Sequence, residues 1–350
     1  MQTTLSANLD LLRAVAVLLV LAQHLSIRFQ WAATLGMATP MIGAFGVLLF
    51  FVHTCLVLMY SMERSNLSGT RLAENFYIRR IFRIYPLSIL AVLAAVALHL
   101  DSGVNGIQGL SHATTISSGR IVSNLLLVQS AIKPGSIVNV LWSLPYEVQM
   151  YIFLPFLFLW IRGKRSALRG LVLLWAVAVI VAILHHPVAT TFPFDRIGLV
   201  QYVPCFLPGV IAFVLPHAPR LKSFLWLPFI LMLVCVFAIV PHIATGWILC
   251  LVLGFAIPFF GEIKTTWLRW TSHRIATYSY GIYLSHQFCI WLVADVLRAW
   301  PGWIRFSLLA ILLIGIPVAL YHAIEKPMIG IGMRVAERWS GRVLTAAQAA

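Results

Sequence analysis

Acidic side chains are scarce: Asp and Glu number 10 in 350 residues, against 25 Lys and Arg. Charged residues of both signs make only 10% of the chain and hydrophobic ones 61%, with a mean hydropathy of +0.93. That balance excludes a water-soluble globule. Metal motifs are missing, since the histidines and cysteines show neither an HExxH pair nor close Cys/His spacing; no metal site is expected. Walker and dinucleotide-binding loops are absent, as is a GxSxG nucleophile turn. Cys55, Cys205, Cys235, Cys250 and Cys289 all fall in apolar stretches, so they are expected as buried small hydrophobes without disulfides.

What the chain has is apolar length. Ten runs are long enough, or nearly so, to cross a bilayer: 9–29, 41–60, 84–100, 146–162, 169–186, 199–216, 222–240, 243–260, 275–297 and 303–323. The expected fold is all-α, a polytopic membrane protein of about ten transmembrane helices. One integral domain covers 1–330, and 331–350 forms a cytoplasmic tail. The run 121–132 is too short to span and is expected to be re-entrant or interfacial. With no basic n-region or small-residue cleavage site, the N-terminal stretch is read as a retained first span. Basic residues then test the topology. Eighteen of the 25 Lys and Arg fall in segments on the side of the N-terminus, six on the other side, and Arg13 within the first span. This positive-inside bias places both termini in the cytoplasm and explains most of the net charge of +15 without nucleic acid.

Ionisable residues at bilayer depth are functional candidates, because each is costly in hydrocarbon. The first span, LDLLRAVAVLLVLAQHLSIRF, carries Asp10, Arg13 and His24. Eleven residues of helix return His24 to within about 20° of the Arg13 face, about 16.5 Å along the axis. Asp10 is three residues from Arg13, a spacing that lets them pair. In NFYIRRIFRIYPL, Arg79, Arg80 and Arg83 point broadly one way; they serve either as positive-inside anchors or as a phosphate clamp. In NVLWSLPYEVQMYIFLP, Glu147 opens the fourth span among Trp142, Tyr146 and Tyr151, with Ser143 as a candidate N-cap. TYSYGIYLSHQF puts Tyr283 and His286 on one helical face, along with Ser279. HAIEKPM offers Glu325 and Pro327, Glu325 as a structural partner for a cytoplasmic arginine. His53, in FFVHTCLVL, is expected as a hydrogen-bonded packing residue.

Taken together these stretches resemble acyltransferase family three, membrane proteins that move acyl groups, usually acetyl, onto sugars of cell-envelope polymers and other hydroxyl acceptors. The resemblance covers nearly the whole chain through LDLLRAVAVLLVLAQH, RRIFRIYP, WSLPYEVQMY, SYGIYLSH and EKP. GVLLFFVHTC, from Gly46 to Cys55, is similar to the family's GVDLFFVLSG, with Leu48 in place of the acid and Thr54-Cys55 in place of Ser-Gly. The resemblance implies a bacterial inner-membrane enzyme with an essential Arg13–His24 pair and acyl-coenzyme A, acetyl-coenzyme A in the usual case, as donor substrate. No tightly bound cofactor is implied.

The expected mechanism has the donor's phosphates at Arg79, Arg80 and Arg83 and its long arm running past Arg13 towards His24. His24 acts as general base, its ordinary pKa of about 6.5 suiting the task. Arg13 orients the donor and Asp10 holds Arg13. Trp142, Ser143, Glu147, Tyr151, Tyr283 and His286 are expected on the acceptor side. A secondary transporter or flippase for a sugar or lipid-linked substrate is the rival reading, since intramembrane Arg, Glu and His suit transport pathways as well. A glycosyltransferase is less apt, because 30–40, QWAATLGMATP, holds no acid.

Overall fold

The computed structural model describes residues 6–31, 41–102, 109–113, 115–132, 135–164, 167–185 and 198–340. Residues 32–40, expected as an outer loop, and 341–350, within the expected cytoplasmic tail, lie outside the described residues.

The helices are α1 (Ala7–Phe29), α2 (Ile42–Ser65), α3 (Gly69–Ala97), α4 (Ser118–Leu125), α5 (Gln129–Ile132), α6 (Leu144–Ile161), α7 (Ala167–His185) and α8 (Leu199–Val214). There follow α9 (Trp226–Ile239), α10 (Ile243–Ala256), α11 (Thr266–Trp291), α12 (Gly302–Leu320) and α13 (Lys326–Ser340). A small antiparallel hairpin pairs β1 (Leu100–Asp101) with β2 (Ser111–His112). Among the described residues, six helical segments are long and apolar enough to cross a membrane, and Leu199–Val214, Ser223–Ile239 and Ile243–Phe259 are shorter apolar ones. Helix α11 has the length, at 26 residues, but carries Thr, Ser, Tyr, His and Gln through its middle. The protein is therefore an all-α, multi-pass membrane protein.

Helix α3 begins well before the expected start of the third span, so Arg79, Arg80 and Arg83 sit inside a helix rather than at its mouth. The run 121–132 does not cross. It forms α4 and α5, with Asn124 and Gln129 buried. Five residues of π-helix, Tyr321–Glu325, join α12 to α13. The expected division at residue 330 falls inside α13, which packs along α3 and accepts a hydrogen bond at Ala336 O from Asn75 Nδ2 at 3.4 Å. Cys235 corrects the cysteine expectation: it is exposed on α9, whereas the other four are buried.

The core is built around α1 and α2, with α11 on the other flank of α1 and α8 on the other flank of α2. The start of α1 is fastened by Glu262, whose carboxylate accepts from Ser6 Oγ at 2.6 Å and from Asn8 N at 3.3 Å. A carboxylate there also meets the positive end of the helix dipole. Met41 offers no cap to α2, and Gln23 of α1 supplies one instead, its Oε1 accepting from Gly43 N at 2.7 Å. One turn further, a Cβ at Gly46 would stand 2.6 Å from the carbonyl oxygen of Ala16. Only glycine lets the backbones approach that closely. Gly46→Ala is expected to destabilise the detergent-solubilised protein by about 1–3 kcal/mol in a thermal melt. Gly315→Ala on α12, where a Cβ meets nothing within 4 Å, is the control and is expected to be neutral or stabilising.

Candidate active site

Helices α1, α2, α3, α6 and α11 surround a cleft of about 780 Å³ of empty space, its open mouth included. Its α2 wall is mainly apolar, with Val47, Phe50, Phe51, Val57 and Leu58. The facing wall is ionic. Arg13 reaches it from α1, Arg80 and Arg83 from α3, and Glu147 and Tyr151 from α6.

Each charge is held in place. Arg13 Nε donates to Ser279 Oγ at 2.7 Å, and Ser279 in turn donates to Ala276 O at 2.8 Å. Arg83 forms an ion pair with Glu325, which the π-helical turn delivers to it from the far end of the chain. The Glu325 side chain is 1% exposed. Arg83 also lies over the Tyr280 ring at 5.8 Å, and the Tyr280 hydroxyl donates to Ile84 O at 2.7 Å. Tyr151 donates its hydroxyl to Glu147 and lies beside Arg80. Three guanidinium groups thus face two carboxylates, which leaves one net positive charge in a largely apolar surround. Low dielectric makes such an excess expensive without a counter-charge, so the cleft is built for an anionic ligand.

At its deep end the cleft stops at Tyr283, whose hydroxyl donates to Val140 O at 2.7 Å and lies 2.7 Å from Ser143 Oγ. Ser143 occupies the N-cap position of α6 but makes no capping bond, because its hydroxyl faces Tyr283. Beyond Tyr283 lies the His286 ring, 6.4 Å away between centroids, and then His24 at 5.0 Å from His286. His286 is 1% exposed. His24 belongs to a second, smaller pocket with room for about one water, shared with Arg28, Gln287 and Trp291 among others.

Hydrogen bonds fix the tautomers of the two imidazoles. His24 Nδ1 lies 2.8 Å from Val20 O, and His286 Nδ1 lies 2.9 Å from Ile282 O. A carbonyl only accepts, so both Nδ1 atoms carry the proton. His286 Nε2 then faces the His24 Nδ1–H at 3.3 Å. This leaves His24 Nε2 with an open lone pair, the arrangement a general base requires.

Several expectations need correction. Asp10 does not hold Arg13; its Oδ2 lies 2.9 Å from His273 Nδ1 of α11, and Arg13 turns to Ser279. The three arginines of α3 do not make one clamp. Arg79 faces a separate small pocket with Ser61, Ser65 and Asn75, while Arg80 touches both. Trp142 is in an aromatic cluster with Tyr146 and Tyr202, at 6.2 Å and 5.7 Å, outside the cleft lining. Ser143, Glu147, Tyr151 and Tyr283 share the arginine-lined cleft instead of surrounding His24, while His286 does pack on His24. His53 lines the cleft and makes no hydrogen bond among the described residues. Arg13 and His24 both reach α11, as their shared stripe requires, yet among the described residues Arg13 lines the cleft and His24 the smaller pocket. The expected arginine partner of Glu325 is Arg83, and Pro327 sits in the first turn of α13.

Sequence reasoning passed over Tyr280, Gln287 and His273. The first two stood in plain view as polar residues in a span-like run. The Tyr280 partner, Ile84 on α3, and the pocket around Gln287 had no local signal.

Fold and site together define a polytopic helical membrane protein with an anion-seeking cleft and an adjoining buried histidine pair. The family model of the acyltransferase domain matches residues 6–322, and the chain belongs to acyltransferase family three. No curated protein and no solved structure matches it.

Proposed function

We propose that the protein is a ten-span O-acyltransferase of the bacterial inner membrane, with both termini in the cytoplasm. It takes an acyl group, acetyl in the simplest case, from acyl-coenzyme A and gives it to a hydroxyl of a sugar or glycan. One observation carries the reading: a net-positive cleft ends one layer of side chains short of an imidazole with a free basic nitrogen. The phosphates of the donor match Arg80 and Arg83, and its flexible arm follows the apolar α2 wall past Arg13. Tyr283 and His286 part to admit the thioester. The acceptor hydroxyl then gives its proton to His24 Nε2, and its oxygen attacks the thioester carbonyl carbon. The C–S bond breaks, the sulfur leaves as thiolate, and the imidazolium returns the proton to it. Arg13 orients the donor and faces the negative charge that develops.

Purified protein in nanodiscs, with no ion gradient, tests this against the transport reading. Radiolabelled acetyl-coenzyme A is expected to lose its label to added host glycan or slowly to water. A protein that binds the donor, never cleaves it and acts only across a sealed, energised vesicle would overturn the proposal.

A further inference from the structure

Gln287 is 3% exposed, and among the described residues neither its Oε1 nor its Nε2 has a hydrogen-bond partner. A buried primary amide with every polar atom unmatched is costly, and native proteins keep one only where something else is to complete it. This amide lines the small pocket beside His24. The other walls suit a particular ligand. Trp291 presents an aromatic surface braced edge-on by His112 at 5.6 Å, and Leu110 and Ile290 add apolar contact. Arg28, tied to Asp295, contributes fixed donors at the rim.

The pocket has room for about one water-sized group, the size of a single hydroxyl, and an amide that both donates and accepts matches that group. We infer that the pocket formed by His24, Gln287 and Trp291 is the acceptor subsite, with Gln287 binding the hydroxyl that His24 deprotonates. This deepens the acyltransferase reading and rests on His24 being its base. It moves the acceptor away from Glu147 and Tyr151, which stay with the arginines in the donor cleft, and puts donor and acceptor on opposite sides of Tyr283 and His286.

Gln287→Leu tests it. Membranes from the host cell, carrying the full chain and its own acceptor, are supplied with radiolabelled acetyl-coenzyme A. Label in the glycan fraction is expected to appear about ten- to a hundredfold more slowly than with wild type, as for loss of hydrogen bonds to a bound hydroxyl. The acetyl-coenzyme A concentration for half-maximal rate stays unchanged. Thermal stability stays level or rises, because leucine removes an unmatched amide. A merely structural glutamine would instead lower the melting temperature. Labelling at the wild-type rate, or a loss of rate matched by a loss of fold, overturns the subsite. His24→Ala separates the two claims: labelling that survives it sinks the enzyme mechanism itself. A cryo-electron microscopy map of the wild-type chain in nanodiscs decides the subsite independently of turnover. It is expected to show an ordered water between Gln287 and His24 Nε2, and a dry pocket or a Gln287 amide turned onto a protein partner overturns the proposal.

Discussion

His24→Ala is expected to slow acyl transfer by roughly a hundred- to ten-thousandfold, the usual worth of a positioned general base. The fold should tolerate it, because the half-buried ring gives up only its bonds to Val20 O and His286. Binding of acetyl-coenzyme A should be nearly unchanged, since Arg13, Arg80 and Arg83 lie in the other cavity. The measurement is coenzyme A release, followed by mass spectrometry. A parallel binding assay in nanodiscs reports the donor. Normal turnover would remove His24 from the mechanism. Loss of donor binding would mean that the two cavities are one site in solution.

Glu325→Ala is expected to have the largest effect on stability. Removing one member of a buried ion pair leaves the other uncompensated. The loss should be about 3 kcal/mol, the low end for such pairs, because Arg83 still reaches the cleft. Thermal melting in detergent checks it. The double substitution Arg83→Met with Glu325→Leu should recover most of the fold, because two apolar side chains replace the pair without stranding a charge. It should recover little activity, because the cleft then loses one of its guanidinium groups. A double variant with full transfer activity would show that Arg83 only braces the π-helical turn.

How far the sequence reached depends on how local each signal was. The α1 stripe was legible because a single helical period decides whether Arg13 and His24 share a face, and both do meet α11. The type of partner for Glu325 was legible from the cost of burying a carboxylate. Its identity, Arg83, lies 242 residues away and was not. Asp10 misled because the three-residue spacing to Arg13 is a local rule, and His273 of a neighbouring helix overrode it. The start of α3 was missed for a related reason. The stretch from Arg71 to Arg83 is too polar to count towards a membrane span, yet it belongs to the same helix and packs along α13. Ser143 looked like a cap, but Tyr283 claimed its hydroxyl. Cavity walls have no local signature, so the separation of Arg13 from His24 came only with the packed helices.

That separation has a bearing on the membrane as a barrier. Tyr283 is pinned to Val140 O and beside Ser143, and His286 to Ile282 O of its own helix, so the layer between the two cavities is latched by the residues that lead into α6 and braced within α11. A passage open from face to face at this point would let protons run down their gradient at every idle moment. With the latch shut the two cavities stay apart, and any leak is confined to the interval in which Tyr283 and His286 part.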